Sequence, residues 1–360
     1  MGRLLDYKIC KNKFLGMGSY SKVYICIYTG NDDTVPANIN LAIKIIDTGK
    51  LPDKSKKIID DEIYVMNIIM KDPHPNIVEC YDIIMDNNMI YIVMEYCDSG
   101  DMRNYLKKPI KEKWCQFFFC QLANGLRYLN SYNILHRDIK PRNILLTNNK
   151  KILKIADFGF AKQKKERISL YDTICGSPLY MAPELMNSDK YNNQTDLWSI
   201  GMILYEMLYG FHPYGKCVNM KQLKYCVDTD VIEIPPTNTK NRNISRECIN
   251  LLKKLLQKRA SKRLEWRGFF NHPWLSVYKT INNKNDEYRK QIYAASLGPM
   301  SSQTLDDTKY QKINIIENFI DEELDDSKFL DSDSDSDSDY NIHNYGSIDS
   351  YCMFEMDDVQ

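Results

Sequence analysis

The stretch HRDIKPRNILL, His136–Leu146, sets an aspartate, two kinds of cation and an amide close together and then closes with Ile-Leu-Leu. Asp138 can accept a proton or orient a hydroxyl. Lys140 offers positive charge to a moving phosphoryl group. Asn143 offers an amide oxygen. Downstream, ADFGFA places Asp157 just beyond the apolar run KILKI. A carboxylate and an amide oxygen are hard ligands, suited to Mg²⁺, or Mn²⁺ in its place, bridging phosphates. The chemistry these groups could serve is phosphoryl transfer, which depends on alignment and on charge placed where the transition state spreads its own. The Ile-Leu-Leu run reads as a buried strand that fixes the polar cluster on a rigid element.

Two stretches nearer the N-terminus extend this chemistry. In LGMGSYSKVY, Gly16 and Gly18 let a hairpin approach an anion closely, because no Cβ intervenes. A lone Gly-x-Gly also fits an ordinary hairpin, and the third glycine of the usual phosphate loop is Ser21 here. In LAIKII, Lys44 sits inside an apolar run and needs a partner if buried. Glu62 is the expected partner, and a wet edge-strand face is the alternative. Each feature alone is commonplace; their order along one chain is not.

Elements must hold these residues in place. Residues 8–28 read as strand, glycine loop and strand; LAIKIID and MIYIVMEY read as strands; residues 55–71 carry helical apolar spacing. The character then changes. WCQFFFCQLANGLRYLNSY and the stretch from Asp196 to Gly210 are long, apolar and helical. WSIGMILYEMLYGF is too short to span a membrane, contains Glu206 and reads as a buried core helix. The expected fold class is α+β, with a small β-rich lobe over about 7–95 and a larger helical lobe over about 98–275. A linker (276–300) and an acidic, disordered tail (301–360) are expected to follow.

The ordered set LGMGSYSKVY, LAIK, Glu62, HPNIV, MEYC, HRDIKPRN, DFG, GSPLYMAPE, DLWSIG and KRASKRL resembles the eukaryotic protein kinases, and covers 7–275. MEYCDSGDMRNYL, ADFGFAK, TICGSPLYMAPE and FFNHPWL are most similar to the autophagy-initiating ULK-type serine/threonine kinases. The resemblance implies that the loop Leu15, Gly16, Met17, Gly18, Ser19, Tyr20, Ser21, Lys22 and Val23 covers the phosphates of ATP, and that Lys44, paired with Glu62, holds them. It implies Asp138 as catalytic base, Lys140 on the γ-phosphate, and Asn143 and Asp157 on Mg²⁺. Val23, Ala42 and Leu145 would sandwich the adenine; Glu95 and Cys97 would supply backbone hydrogen bonds, with Met94 at the gate. Glu184 and Arg263 would form a buried pair. Arg137 and Lys162 would receive a phosphate on Thr173 of the activation segment, placed there by an upstream activating kinase, with Ser169 and Tyr171 as second candidates. Arg142 stands where arginine-directed kinases carry an acid, so arginine three residues before the acceptor is expected to be disfavoured. The expected activity is transfer to Ser/Thr hydroxyls of protein substrates. A silent pseudokinase scaffold is the alternative, with Ser21 as the one departure that favours it. A small-molecule kinase is disfavoured by GSPLYMAPE, which resembles a protein-substrate platform.

Composition adds compartment and charge. The chain of 360 residues has zero formal net charge, yet residues 301–360 hold 17 acidic and 3 basic side chains, a net of −14, leaving +14 on the first 300. The tail is expected to be a disordered solubilising or casein-kinase-type acceptor tract; the alternative is that it binds its own basic body, across the substrate groove, or a basic partner. Eleven scattered cysteines without CxxC spacing suit reduced thiols, and the first residues lack an apolar run of signal-peptide length. A cytoplasmic protein, with the nucleus left open, is expected: not secreted, without a membrane span and without nucleic acid as partner.

Overall fold

The computed structural model describes residues 3–18, 21–51, 53–163, 178–186 and 194–276. Five antiparallel strands open the chain: β1 (Tyr7–Met17), β2 (Ser21–Tyr28), β3 (Asn40–Asp47), β4 (Cys80–Asp86) and β5 (Met89–Glu95), in the order β1-β2-β3-β5-β4. Helix α1 (Asp53–Lys71) is inserted between β3 and β4. Ile59, Val65, Met66 and Ile69 are buried at helical spacing, and they seat α1 on the sheet. Strand β4 carries little signal in the sequence. Its run CYDIIMD alternates in burial and pairs with β5 across a tight turn at Asn87, which has φ 53°.

The second lobe is helical. It contains α2 (Glu112–Ser131), then the short strands β6 (Ile134–Leu135), β7 (Ile144–Thr147), β8 (Ile152–Ile155) and β9 (Lys162–Gln163). Helices α3 (Pro183–Met186), α4 (Thr195–Tyr209), α5 (Met220–Thr229), α6 (Arg246–Leu255), α7 (Trp266–Phe270) and α8 (Pro273–Ser276) complete it. Every residue of α4 is buried, as its all-round apolar sequence requires. Its one acidic mid-helix residue, Glu206, is satisfied by the Tyr180 hydroxyl at 2.7 Å. The helix stops at Gly210, whose φ of 77° is left-handed and whose Cβ, if present, would lie 2.6 Å from Pro109 Cδ. Gly125 lets α2 approach the 76–77 backbone: a Cβ there would meet Asn76 O at 2.9 Å.

Small strands carry the chemistry-bearing loops between these lobes. β7 pairs with β8 in antiparallel register, Ile144 opposite Ile155 and Leu146 opposite Leu153. Ile144 and Leu146 are buried on one face while Leu145 faces the other, so the Ile-Leu-Leu run pins the loop before it. No helix among the described residues is long and apolar enough to cross a membrane. The expectations for the linker and acidic tail, 276–300 and 301–360, lie outside the described residues apart from Ser276, as do those for Ser19, Tyr20, Ser169, Tyr171 and Thr173.

Candidate active site

Lys44 stands mid-strand in β3, opposite Val23 on one side and Ile92 on the other. Its ammonium lies 2.5 Å from Glu62 Oε1 and 3.3 Å from Asp157 Oδ1. Glu62 shares the inward face of α1 with Ile59, Met66 and Ile69 and is itself buried. A carboxylate on that apolar face is tolerable only with a cation against it. Burial pushes the Lys44 ammonium down, but Glu62 first and Asp157 second outweigh it and hold the group above its ordinary value. Partial burial works against the Asp157 carboxylate, whose side chain is 46% exposed, yet Lys44, Lys140 and His136 bring it down to about 2. Both groups are charged at neutral pH. One lysine on the sheet, one acid on α1 and one acid after β8 thus tie the two lobes together.

The second cluster is built on Asp138, buried at the lobe junction. Its Oδ2 receives Lys140 Nζ at 2.9 Å and Asn143 Nδ2 at 2.9 Å, and the same amide also donates to Asp138 O at 2.9 Å. Both amide hydrogens of Asn143 are therefore directed at Asp138, which leaves its Oδ1 as the remaining donor atom. Asn143 O accepts from Ala156 N at 2.9 Å, joining this loop to the segment that carries Asp157.

What aims the loop is a residue outside the motifs that carry the chemistry. Asp196, buried in the first turn of α4, accepts His136 N at 3.2 Å on Oδ2 and Arg137 N at 3.1 Å on Oδ1. Arg137 has φ 68° and Asp157 has φ 64°, left-handed conformations that cost a non-glycine residue about 1–2 kcal/mol. Strained backbone at both positions marks a loop held by its surroundings. His136 Nδ1 accepts from Asp138 N at 3.3 Å, so Nε2 carries the proton and donates to Ala156 O at 3.1 Å. The available signal for Asp196 was an acid opening an otherwise apolar helix.

The remaining sequence-derived residues take the following places. In the glycine loop, Gly16 opposes Val23, and Gly18 N donates to Ser21 O at 2.9 Å. A Cβ at Gly16 would meet nothing within 4 Å of the protein, whereas one at Gly18 would lie 2.8 Å from Ser21 Oγ. The hairpin thus tolerates serine at 21. Lys22 pairs with Met17 and Ile45 in the sheet, and Leu15 and Met17 are exposed. Ala42 lies opposite Met94. The Glu95 side chain is tied to Lys154 at 2.6 Å, and Cys97 is buried, which pushes its thiol up. Lys162 pairs through its backbone with Leu135, two residues before Arg137. Arg142 reaches across from the His136–Asn143 loop, donating to Met17 O of the glycine loop at 3.1 Å. Arg263 grips Glu184 through two bonds of 2.8 and 2.9 Å and also donates to Gln194 O.

A divalent metal fits this donor set. Among the described residues no group of three His, Cys, Asp or Glu could hold a metal by itself. Asp157 and Asn143 Oδ1 supply hard oxygens but too few for a protein-only cage, which suits a hard divalent cation that completes its ligand set from outside the protein.

Residues 9–275 match the family model for the protein kinase domain. The chain belongs to the protein kinase family. Among its relatives, this kinase is 39% identical over 296 residues to the serine/threonine-protein kinase atg1 of Dictyostelium discoideum, covering 80% of this chain and 41% of that one. It is 37% identical over 280 residues to the serine/threonine-protein kinase ATG1c of Arabidopsis thaliana, covering 76% and 36%. It is 36% identical over 269 residues to human serine/threonine-protein kinase ULK3, covering 73% and 54%. The kinase thus spans about two fifths to half the length of these relatives, and the likeness to the Atg1/ULK group expected from the motifs is present in the kinase domain.

Proposed function

We propose that this kinase transfers the γ-phosphoryl group of ATP to serine or threonine hydroxyls of protein substrates. The observation that carries the reading is that Lys44 and Glu62 of the first lobe meet Asp157 of the second, whose segment is joined through Ala156 N to Asn143 O of the Asp138–Lys140–Asn143 cluster. Lys44, fixed by Glu62, binds the non-transferred phosphates, and the Leu15–Val23 hairpin covers them. Val23, Ala42 and Leu145 enclose the adenine, and the Glu95–Cys97 backbone meets its edge. Asn143 Oδ1 and Asp157 would hold Mg²⁺, which would supply neutralisation of phosphate charge. Asp138 orients the acceptor hydroxyl and takes its proton, and Lys140 beside it faces the charge that develops on the moving group. The groups are already anchored to one another, so little reorganisation accompanies transfer. No catalytic position holds an incompetent residue, so no observation favours a silent scaffold.

Regulation is read the same way. Phosphate on Thr173 would be met by Arg137 and Lys162 and would order the segment; Thr173→Ala with undiminished activity and no phosphate found at 173 removes this switch. All nine cysteines among the described residues are free thiols, which supports a reducing compartment such as the cytoplasm.

The test is transfer of labelled phosphate from ATP with Mg²⁺ to a generic protein substrate and to the kinase itself, beside Asp157→Ala and Asp138→Asn. Transfer lost in both variants supports the assignment. Transfer surviving in both refutes it, and no transfer together with no nucleotide binding moves the reading to a scaffold.

A further inference from the structure

A dense basic run lies far from the catalytic residues in sequence and is not used by the reaction. Between Lys253 and Arg267 stand seven basic residues, Lys253, Lys254, Lys258, Arg259, Lys262, Arg263 and Arg267, against one acid, Glu265. Arg263 is neutralised by Glu184. Lys254, Lys262 and Arg267 are exposed, line one concave groove of about 620 Å³, and form no ion pair among the described residues. The cations of the catalytic cleft differ. Lys44 is held by Glu62, Lys140 by Asp138, and Arg142 by Met17 O. An acidic segment displacing those contacts would gain little, whereas one entering the α6–α7 groove meets charges that have no ion pair among the described residues.

We propose that the aspartate tract Asp331–Asp339 of the same chain docks in the Lys254–Lys262–Arg267 groove rather than across the substrate cleft. The tract alternates Asp and Ser, five carboxylates in nine residues. In extended form, successive carboxylates fall on one side about 7 Å apart, a spacing that lets several meet separate cations along a groove. The described chain ends at Ser276 in α8, which packs on α6, the helix that carries Lys254. Fifty-five steps of chain separate Ser276 from Asp331, a contour of up to roughly 180–200 Å, so reach is no obstacle. The proposal rests on charge and placement and not on phosphoryl transfer.

Zero-length carbodiimide coupling on the full chain tests it. This reaction joins a lysine amine to an aspartate carboxylate as an amide with loss of water, and the products are mapped by mass spectrometry on a mixture of light- and heavy-labelled chains. The expected result is same-label links from Lys254 and Lys262 to the tract. These should fall about tenfold at 1 M salt, where the screening length is about 3 Å. They should also vanish when Asp331, Asp333, Asp335, Asp337 and Asp339 are all changed to Asn, and persist in the Asp157→Ala kinase. Lys254→Glu with Lys262→Glu should not redirect the tract with equal yield to other lysines. Links concentrated on cleft lysines, links of mixed label, or an undiminished pattern at high salt would each overturn the proposal.

Discussion

Asp196→Asn isolates an acid that aims the proposed catalytic loop. The wild-type carboxylate accepts two backbone N–H groups, one on each oxygen, at 3.2 and 3.1 Å in a buried site. Hydrogen bonds to a charged acceptor are worth about 1.5–3 kcal/mol each. Asparagine keeps one acceptor oxygen and turns an amide NH₂ toward the other N–H, so one bond is lost and a buried donor is left unsatisfied. The cost is about 2–4 kcal/mol. In a domain of this size 1 kcal/mol shifts Tm by about 2–4 °C, giving a fall of roughly 4–16 °C. The functional effect is sharper than the thermal one. Arg137 is held at φ 68°, and with its N–H released the loop can relax toward negative φ and carry Asp138 with it. A displacement of about 1 Å at the reacting groups costs about 10²-fold in rate. Lys44, Glu62 and the glycine loop are untouched, so KM for ATP should stay within about twofold. Steady-state kinetics and a thermal melt on Asp196→Asn measure both. A kcat within about threefold of wild type, alongside a lowered Tm, would show that other contacts hold the loop and that this account of Asp196 is wrong.

Arg263→Met leaves Glu184 buried and uncompensated, and should cost about 3–5 kcal/mol in urea unfolding; adding Glu184→Leu should restore a good part of it. Arg142→Ala removes one exposed bond of about 0.5–1.5 kcal/mol between the loops of the two lobes, so KM for ATP should rise by about 2–10-fold; an unchanged KM would show that the bond to Met17 O does not hold the hairpin. A peptide array on the wild type should show no arginine preference three residues before the acceptor, and a strong one would refute the reading of Arg142. The Asp157 carboxyl is depressed to about 2, so its contribution to stability is present above the unfolded value of about 3.9 and is lost as pH falls through about 2. Lys44→Met removes the strongest of the cations that depress it, so Mg²⁺-dependent nucleotide binding in that variant should weaken on acidification at a higher pH than in wild type. Binding titrations from pH 7 to pH 4 that overlay apart from a constant offset would contradict this.

Much of the proposed site was legible in the residues because the proposed phosphoryl transfer dictates types at short spacing. Asp138, Lys140 and Asn143 occupy a single loop, and Asp157 follows a strand whose apolar run announces it. The Lys44–Glu62 pair could be anticipated from one physical demand, that a lysine in an apolar strand needs an acid, and α1 offered that acid on its inward face. The β-rich and helical halves followed from apolar periodicity of 2 and 3.6. The α4 run, polar only at a few positions, could be nothing but a core helix. Other features had no local signal. Strand β4 is short, and its aspartates obscure the alternation that pairing with β5 makes plain. Asp196 binds a backbone about 60 positions away, and Arg142 finds a carbonyl 125 positions away. Neither partner is marked by side-chain type, because a backbone N–H or C=O is present at every residue. The left-handed φ of Arg137 and Asp157 is equally silent, since only glycine announces such a conformation and these residues adopt it under the constraint of their neighbours. The sequence by itself determined which groups could do the chemistry and which segments could bury their apolar faces. The tertiary structure alone decided how those groups are aimed, because aim depends on distant backbone atoms brought together only when the two lobes pack.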